Sequence, residues 1–143
     1  MKVKIKRIDK DLPLPERKTK GAAAFDFVAR VDVDIQPKQI GYIPLNVVVA
    51  VPEGFALHVF ARSGTHKKGL MLANGVGVID ADYCGDGDEV VAAYYNFTDA
   101  PVAIARGERI AQGIVRSYEE VDWDEVPAMD APSRGGFGTT GKF

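Results

Sequence analysis

The chain has 143 residues, 46% hydrophobic and 27% charged, with a formal net charge of −2. That is the composition of one soluble globular domain able to bury a core. So small a charge creates no global field that draws in nucleic acid, and any anion site must be built locally. The single cysteine, Cys84, excludes an internal disulfide and fits a reducing compartment, and no apolar run approaches the ~18 residues of a membrane span.

The periodicity is strand-like nearly throughout. Residues 1–10, MKVKIKRIDK, alternate charged and apolar residues. They lack the uninterrupted apolar stretch of a signal peptide, so a cytoplasmic location is expected. Val3 to Ile8 reads as a short or bulged strand. Pro13 and Pro15 then impose extended or turn structure. Phe25–Ala29 and Val31–Ile35 read as strands, the second with strict period two. Ile40–Val51 is rich in β-branched residues but carries Pro44, which predicts an edge or a bulge. Phe55–Phe60, Val76–Ile79, Val90–Phe97, Val102–Ile104 and Ile110–Val115 complete the strands, and Ser63–Lys68, stopped by Gly69, predicts a short helix. Roughly nine or ten short strands separated by turn signals predict an all-β sandwich or jelly roll. Domain 1–130 is followed by an arm, 131–143, expected to be flexible.

That arm is the most distinctive stretch. Ser133-Arg-Gly-Gly-Phe-Gly-Thr-Thr-Gly-Lys-Phe143 has four glycines, two threonine hydroxyls and two cations, and little to bury. Glycine backbone amides can approach phosphate closely, and Arg134, Thr139 and Thr140 add donors. Phe137 offers a flat face for a nucleobase. The arm reads as a lid over a nucleotide. Gly136 to Lys142 also matches most of a Walker A loop, but Phe143 stands where Ser or Thr would hold Mg²⁺, so that type of NTPase is rejected.

Four further segments carry more polar detail than strand ends require. Gly21-Ala-Ala-Ala-Phe-Asp26 opens a strand with small residues and a carboxylate. Arg62-Ser63-Gly64 precedes the predicted helix, where a helix N-terminus favours anions. Asn74-Gly-Val-Gly-Val-Ile-Asp-Ala-Asp-Tyr83 has two carboxylates bracketing one residue, and Gly107-Glu-Arg-Ile-Ala-Gln112 leads into the last core strand.

Together with the arm, these segments, in this order, resemble the five motifs of the trimeric dUTPase family, over most of the chain from Gly21 to Gly141. Segments such as Arg62-Ser63-Gly64 are weak alone; Gly77 to Tyr83 combined with the arm is strong. The resemblance implies a distorted jelly-roll subunit, a homotrimer with active sites between subunits, and hydrolysis of dUTP to dUMP and pyrophosphate. It implies that Asp80 activates the water attacking the α-phosphorus. Arg62, Ser63, the Gly64 amide and Gln112 would hold the triphosphate, with Arg134, Gly138, Thr139 and Thr140 completing the cradle. Tyr83 would pack on the deoxyribose and exclude a 2′-hydroxyl, and Phe137 would stack on uracil. Asn74 and the backbone around Gly77, Val78 and Ile79 would read the uracil edge through a hairpin's amides. Mg²⁺ would be held by the phosphates and water, with no metal ligand from the protein. Such a site needs charge stabilisation more than covalent chemistry, so donors should outnumber bases.

The chain departs from the family pattern in four places. Arg134 lies three residues before Phe137 where five is usual, with Pro132 in the usual place. Cys84 to Glu89 carries extra acidic residues, expected to lengthen a surface loop. Ala61 replaces a frequent proline, and the stretch after Ser63 is one residue shorter.

Plainer readings stand beside these. Asp80 and Asp82 can end a strand, Asp26 and Arg62 can form surface ion pairs, and Gln112 and Tyr83 can be ordinary strand residues. Trp123 reads as trimer packing or a cover over the sheet end; 119–125 reads as a solvated edge. Two competing functions share the fold class. One is the related dCTP deaminase reaction, which would want a carboxylate beside the base. The other is a dUTPase-like protein that binds a regulatory partner, for which the insert at Asp86 to Glu89 is the only hint.

Overall fold

The computed structural model describes residues 1–136; residues 137–143 lie outside the described part. It is all-β, with eleven strands and no α-helix among the described residues. In chain order the strands are β1 (Lys4–Arg7), β2 (Phe25–Val28), β3 (Val33–Ile35), β4 (Ile40–Pro44), β5 (Val47–Ala50) and β6 (Phe55–Ala61). A 3₁₀ turn at Thr65–Lys68 leads into β7 (Leu70–Leu72), β8 (Gly77–Ile79), β9 (Val91–Asn96), β10 (Val102–Ile104) and β11 (Arg109–Ser117). The strand β7, which periodicity does not mark, is only three residues long and follows directly on the turn.

Four small antiparallel sheets enclose one apolar core. Their orders are β1-β5, β10-β3, β2-β11-β6-β8 and β4-β9-β7. The core is built from inward positions of every sheet, including Phe27, Ile35, Ile43, Leu57, Leu70, Tyr94 and Ile110. Alternation along β9 sends Ala92, Tyr94 and Asn96 inward, as period two requires. Burial pushes the Tyr94 phenol up to about 12, and its hydroxyl donates to the Ile110 carbonyl at 2.8 Å. Gly113 is required in mid-strand, since a Cβ there would come within 2.6 Å of the Phe27 ring.

Pro44 ends β4, whose one strand partner among the described residues is β9, so the expected edge is present. The interruption is larger than a bulge, because β4 and β5 belong to different sheets. The chain changes sheets at Asn46, a fully buried residue with φ of 68°. The strain of that left-handed conformation is offset by saturated hydrogen bonding. The Asn46 side chain bonds both backbone groups of Asp9, at 2.7 and 2.9 Å, and the Asn46 backbone N–H donates to Glu89 Oε1 at 2.8 Å.

Among the described residues nothing covers one face of the β4-β9-β7 sheet. Register places Ile40, Tyr95 and Met71 in one row and Tyr42 opposite Ala93 in the next. Tyr42 is 69% exposed, and Ile40, Met71 and Val91 are also exposed. After β11 the chain runs from 118 to 136 without a strand. Trp123 there is 91% exposed, so within its own chain it does not cover the sheet end.

Candidate functional site

Asp26 and Gln112 are brought together by strand register. Asp26 on β2 lies opposite Gln112 on β11, and Gln112 lies opposite Phe60 on β6. Residues paired this way share a face of the sheet. Below that row opens a cavity of about 540 Å³ lined by Ala22, Ala23, Ala24, Asp26, Phe60, Ala61 and Gln112, with Lys18 and Ile114. Three alanines in succession leave the volume empty. The Gln112 amide donates to the Ala61 carbonyl at 2.9 Å, which points its side chain along the floor toward Arg62.

Asp26 is the hub of this corner. Its Oδ1 accepts from Arg62 Nε at 3.1 Å and its Oδ2 from Arg109 Nη1 at 3.0 Å. Arg62 Nη1 also donates to the Arg109 carbonyl at 3.0 Å. The register slip between Arg109 and Ala111 re-aims Arg109 toward β2, as bulges beside functional sites do. The plainer reading of Arg62 and Asp26 as an ion pair therefore holds, and it orients the arginine. Sequence reasoning gave no role to Arg109, Lys18 or Lys68. A cavity of about 270 Å³ lined by Arg62, Gly64, Thr65, Lys68, Glu108 and Arg109 continues the corner outward. Lys68 is tied there to Glu108 at 2.6 Å.

The expected helix after Ser63 is a 3₁₀ turn of four residues with Gly64 as its N-cap. So short a turn sums almost no dipole, so attraction for an anion at this corner comes from the cations themselves. Ser63 and Gly64 are exposed beside them. Gly69 closes the turn with φ of 80°, and a side chain there would collide with Thr98.

The second group of candidates lies elsewhere on the chain. Asn74 and Gly75 turn the chain from β7 in one sheet to β8 in another, so this stretch is a sheet-switching turn rather than a hairpin of paired strands. Strand β8 is the outer strand of its sheet, pairing with β6 through Gly77↔Val59, Val78↔His58 and Ile79↔Leu57. An edge strand keeps one row of amide and carbonyl groups unpaired, which suits Gly77, Val78 and Ile79 to reading the polar edge of a base. The Tyr83 amide then donates to the Asp80 carbonyl at 3.2 Å, holding Asp80 and Tyr83 in one tight turn. Both side chains are exposed. Asp80 forms none of the ion pairs found among the described residues, whereas Asp26 and Asp9 are both engaged.

The two groups do not meet within one chain. Ile79 faces Leu57, while Arg62 lies beyond the far end of β6. Five residues of strand separate those levels, on the order of 16 Å. Asp80 continues in the direction away from Arg62.

The acidic insert is pinned rather than loose. Lys6 holds Asp86 at 2.8 Å, and the Gly85 amide donates to Asp88 Oδ2 at 2.7 Å. Glu89 receives Arg30 in a bidentate pair, Nε at 2.8 Å and Nη2 at 2.9 Å. That contact raises the Arg30 guanidinium above its ordinary range, against the opposing effect of burial. Arg134 is exposed. Phe137, Gly138, Thr139 and Thr140 lie outside the described residues.

The model of the dUTPase family matches residues 10–141. The deoxyuridine 5′-triphosphate nucleotidohydrolase of Dictyoglomus turgidum is 40% identical over 148 residues, covering 99% of each chain. That of Corynebacterium glutamicum is 40% identical over 144 residues, covering 98% of this chain and 95% of its own. Among solved structures, a dUTPase from Streptococcus mutans superposes with a TM-score of 0.76 at 33% identity, over 83% of this chain and 98% of that one. A Staphylococcus bacteriophage 80alpha dUTPase reaches a TM-score of 0.85 at 24% identity, over 98% of both chains, a likeness of fold.

Proposed function

The chain belongs to the dUTPase family, and on that basis we propose that it hydrolyses dUTP to dUMP and pyrophosphate at a site shared between copies of a homotrimer. The reading rests above all on one observation: the carboxylate of Asp80 and the cationic corner at Arg62 sit at opposite ends of β6. One chain cannot present both to a single triphosphate, and a second copy can. The unpartnered apolar face around Ile40, Tyr42 and Met71 offers a contact surface for such an assembly. Tyr42→Asp is expected to shift the protein toward monomer in analytical ultracentrifugation and to make activity per chain depend on concentration. A trimer unaffected by that charge would place the contact elsewhere.

Each copy, a jelly-roll domain of 1–130 with an arm of 131–143, then plays separate parts. Asp80 accepts a hydrogen bond from a water and takes its proton as the oxygen attacks the α-phosphorus; the bond to the bridging oxygen breaks and pyrophosphate leaves. Arg62, Ser63, the Gly64 amide and Gln112 hold the phosphates, and Arg109 and Asp26 keep Arg62 in place. Asn74 and the free edge of β8 read uracil. Phe137 stacks on it from the arm, and Arg134, Gly138, Thr139 and Thr140 close on the phosphates. Among the described residues no group of three or more His, Cys, Asp or Glu could hold a metal. The donors present fit an ion that arrives on the triphosphate oxygens. Mg²⁺ bound there supplies neutralisation of phosphate charge. The reaction would keep uracil out of DNA and supply dUMP, in a cytoplasmic setting.

Pyrophosphate release from dUTP, dTTP, dCTP and UTP, measured in parallel with product identification, tests the reading. Turnover of dUTP alone, giving dUMP, is expected; ammonia from dCTP would assign a deaminase instead. Tyr83→Ala is expected to lower the preference for dUTP over UTP by about 10–100-fold. Unchanged sugar preference would remove Tyr83 from the deoxyribose.

A further inference from the structure

The turn that holds Asp80 and Tyr83 is followed by Cys84-Gly-Asp-Gly-Asp88, whose two glycines give the backbone wide freedom. A platform that must exclude a single hydroxyl cannot ride on a loop that wanders. The hydroxyl of Tyr83 donates to the Glu89 carbonyl at 3.3 Å. The Glu89 carboxylate is in turn held by three donors: Arg30 Nε at 2.8 Å, Arg30 Nη2 at 2.9 Å and the Asn46 backbone N–H at 2.8 Å. Its side chain is only 14% exposed. Both anchors belong to the rigid frame. The Arg30 amide donates to the Pro44 carbonyl at 2.8 Å, and Asn46 is the buried corner between β4 and β5.

We propose that Arg30 and Glu89 are positioning residues for sugar discrimination: their ion pair fixes the Glu89 carbonyl, which sets the Tyr83 ring through its hydroxyl. The proposal rests on the reading of Tyr83 as the deoxyribose platform. Neither residue touches the substrate. Glu89 recognises no partner molecule here, because its oxygens are spent inside the chain. The geometry also says why a glutamate is needed. Asparagine or aspartate is one methylene too short to reach both Arg30 and Asn46 from the same backbone position, and a neutral glutamine would replace one acceptor oxygen by an NH2 donor facing the guanidinium.

The test compares kcat/KM for dUTP and UTP in Glu89→Gln, Tyr83→Phe, the double variant and Tyr83→Ala, with thermal melting as a check that each is folded. Glu89→Gln and Tyr83→Phe are each expected to lower the dUTP-to-UTP ratio, on the order of tenfold for Glu89→Gln. The double variant should lose no more than the larger single change, since both act through one hydrogen bond. Arg30→Lys, which keeps the charge but loses the fork, should fall between wild type and Glu89→Gln. If Tyr83→Ala relaxes the ratio while Glu89→Gln and Tyr83→Phe leave it intact, the positioning role is overturned and the platform stands. If Tyr83→Ala itself leaves the ratio unchanged, the platform reading fails and this proposal fails with it. Losses that track melting temperature alone, with the ratio constant, would reduce Glu89 to a structural residue and also overturn it.

Discussion

Replacing Asp80 by asparagine is expected to lower dUTP turnover by on the order of 10³–10⁴-fold while leaving dUTP binding nearly unchanged. The substitution keeps size and the capacity to hydrogen-bond a water, and removes only the ability to take its proton. Among the described residues Asp80, like Asp82, takes part in no ion pair, which leaves its oxygens open to a water. Asp26 is saturated by Arg62 and Arg109, Asp9 by Arg106, and Asp86 by Lys6. A carboxylate whose oxygens already accept such hydrogen bonds has less room to receive an attacking water. Asp80 stands exposed in its turn, beside the edge strand that would seat the base. Titration calorimetry with dUTP on the variant separates the two effects. Retained turnover would move the water-activating role to another group; lost binding would mean that Asp80 shapes the pocket instead.

Ending the chain after Ser133 is expected to cost at least about 10²-fold in kcat/KM, with an assembled and equally stable protein. The segment removed carries Arg134, Thr139 and Thr140, proposed as phosphate donors, and Phe137, proposed as the stacking partner. A base stacked on an aromatic ring contributes about 1–3 kcal/mol, and each donor aimed at developing phosphate charge is worth a comparable amount. Stability should be spared because Arg134 and Gly135 are exposed and lie outside every sheet. A fall in kcat would mean that the arm acts on the transition state; a rise in KM alone would mean that it only holds substrate. Full activity without it would remove the lid from the mechanism. The variant also decides what the unusual spacing of Arg134 means, since restoring Arg134 alone tests its contact.

Much of this architecture is legible in the residues. Strict alternation at Val31–Ile35 marks β3, and turn signals separate most strands, because a half-buried sheet imposes period two on the chain. Three features were not. The strand β7 is too short to show a period. The change of sheet at Asn46 shows only as a proline two residues earlier, since nothing local distinguishes a bulge from a strand that leaves its sheet. The helix expected after Ser63 is a single 3₁₀ turn, because Gly64 and Gly69 bracket it too closely for an α-helix. Of the proposed site, residue types with chemistry of their own, such as Asp80, Arg62 and Tyr83, can be nominated from their order along the chain. Arg109 and Glu89 cannot, because their parts depend on partners far away in sequence. A bulge supplies Arg109 with Asp26, and a fold corner supplies Glu89 with Arg30.

The placement of the carboxylate and the cationic corner at opposite ends of β6 has a consequence for inheritance of damage. In the proposed trimer every copy lends its Asp80 to one site and its Arg62 to another, so no copy owns a site outright. A chain that folds and assembles but carries a lesion at either end would spoil a site belonging jointly to a healthy neighbour. A chain damaged at one end spoils one site and leaves the other it serves intact, so mixed assemblies would lose activity in proportion to their defective chains. Copies lacking Asp80 would restore some activity when assembled with copies lacking Arg62.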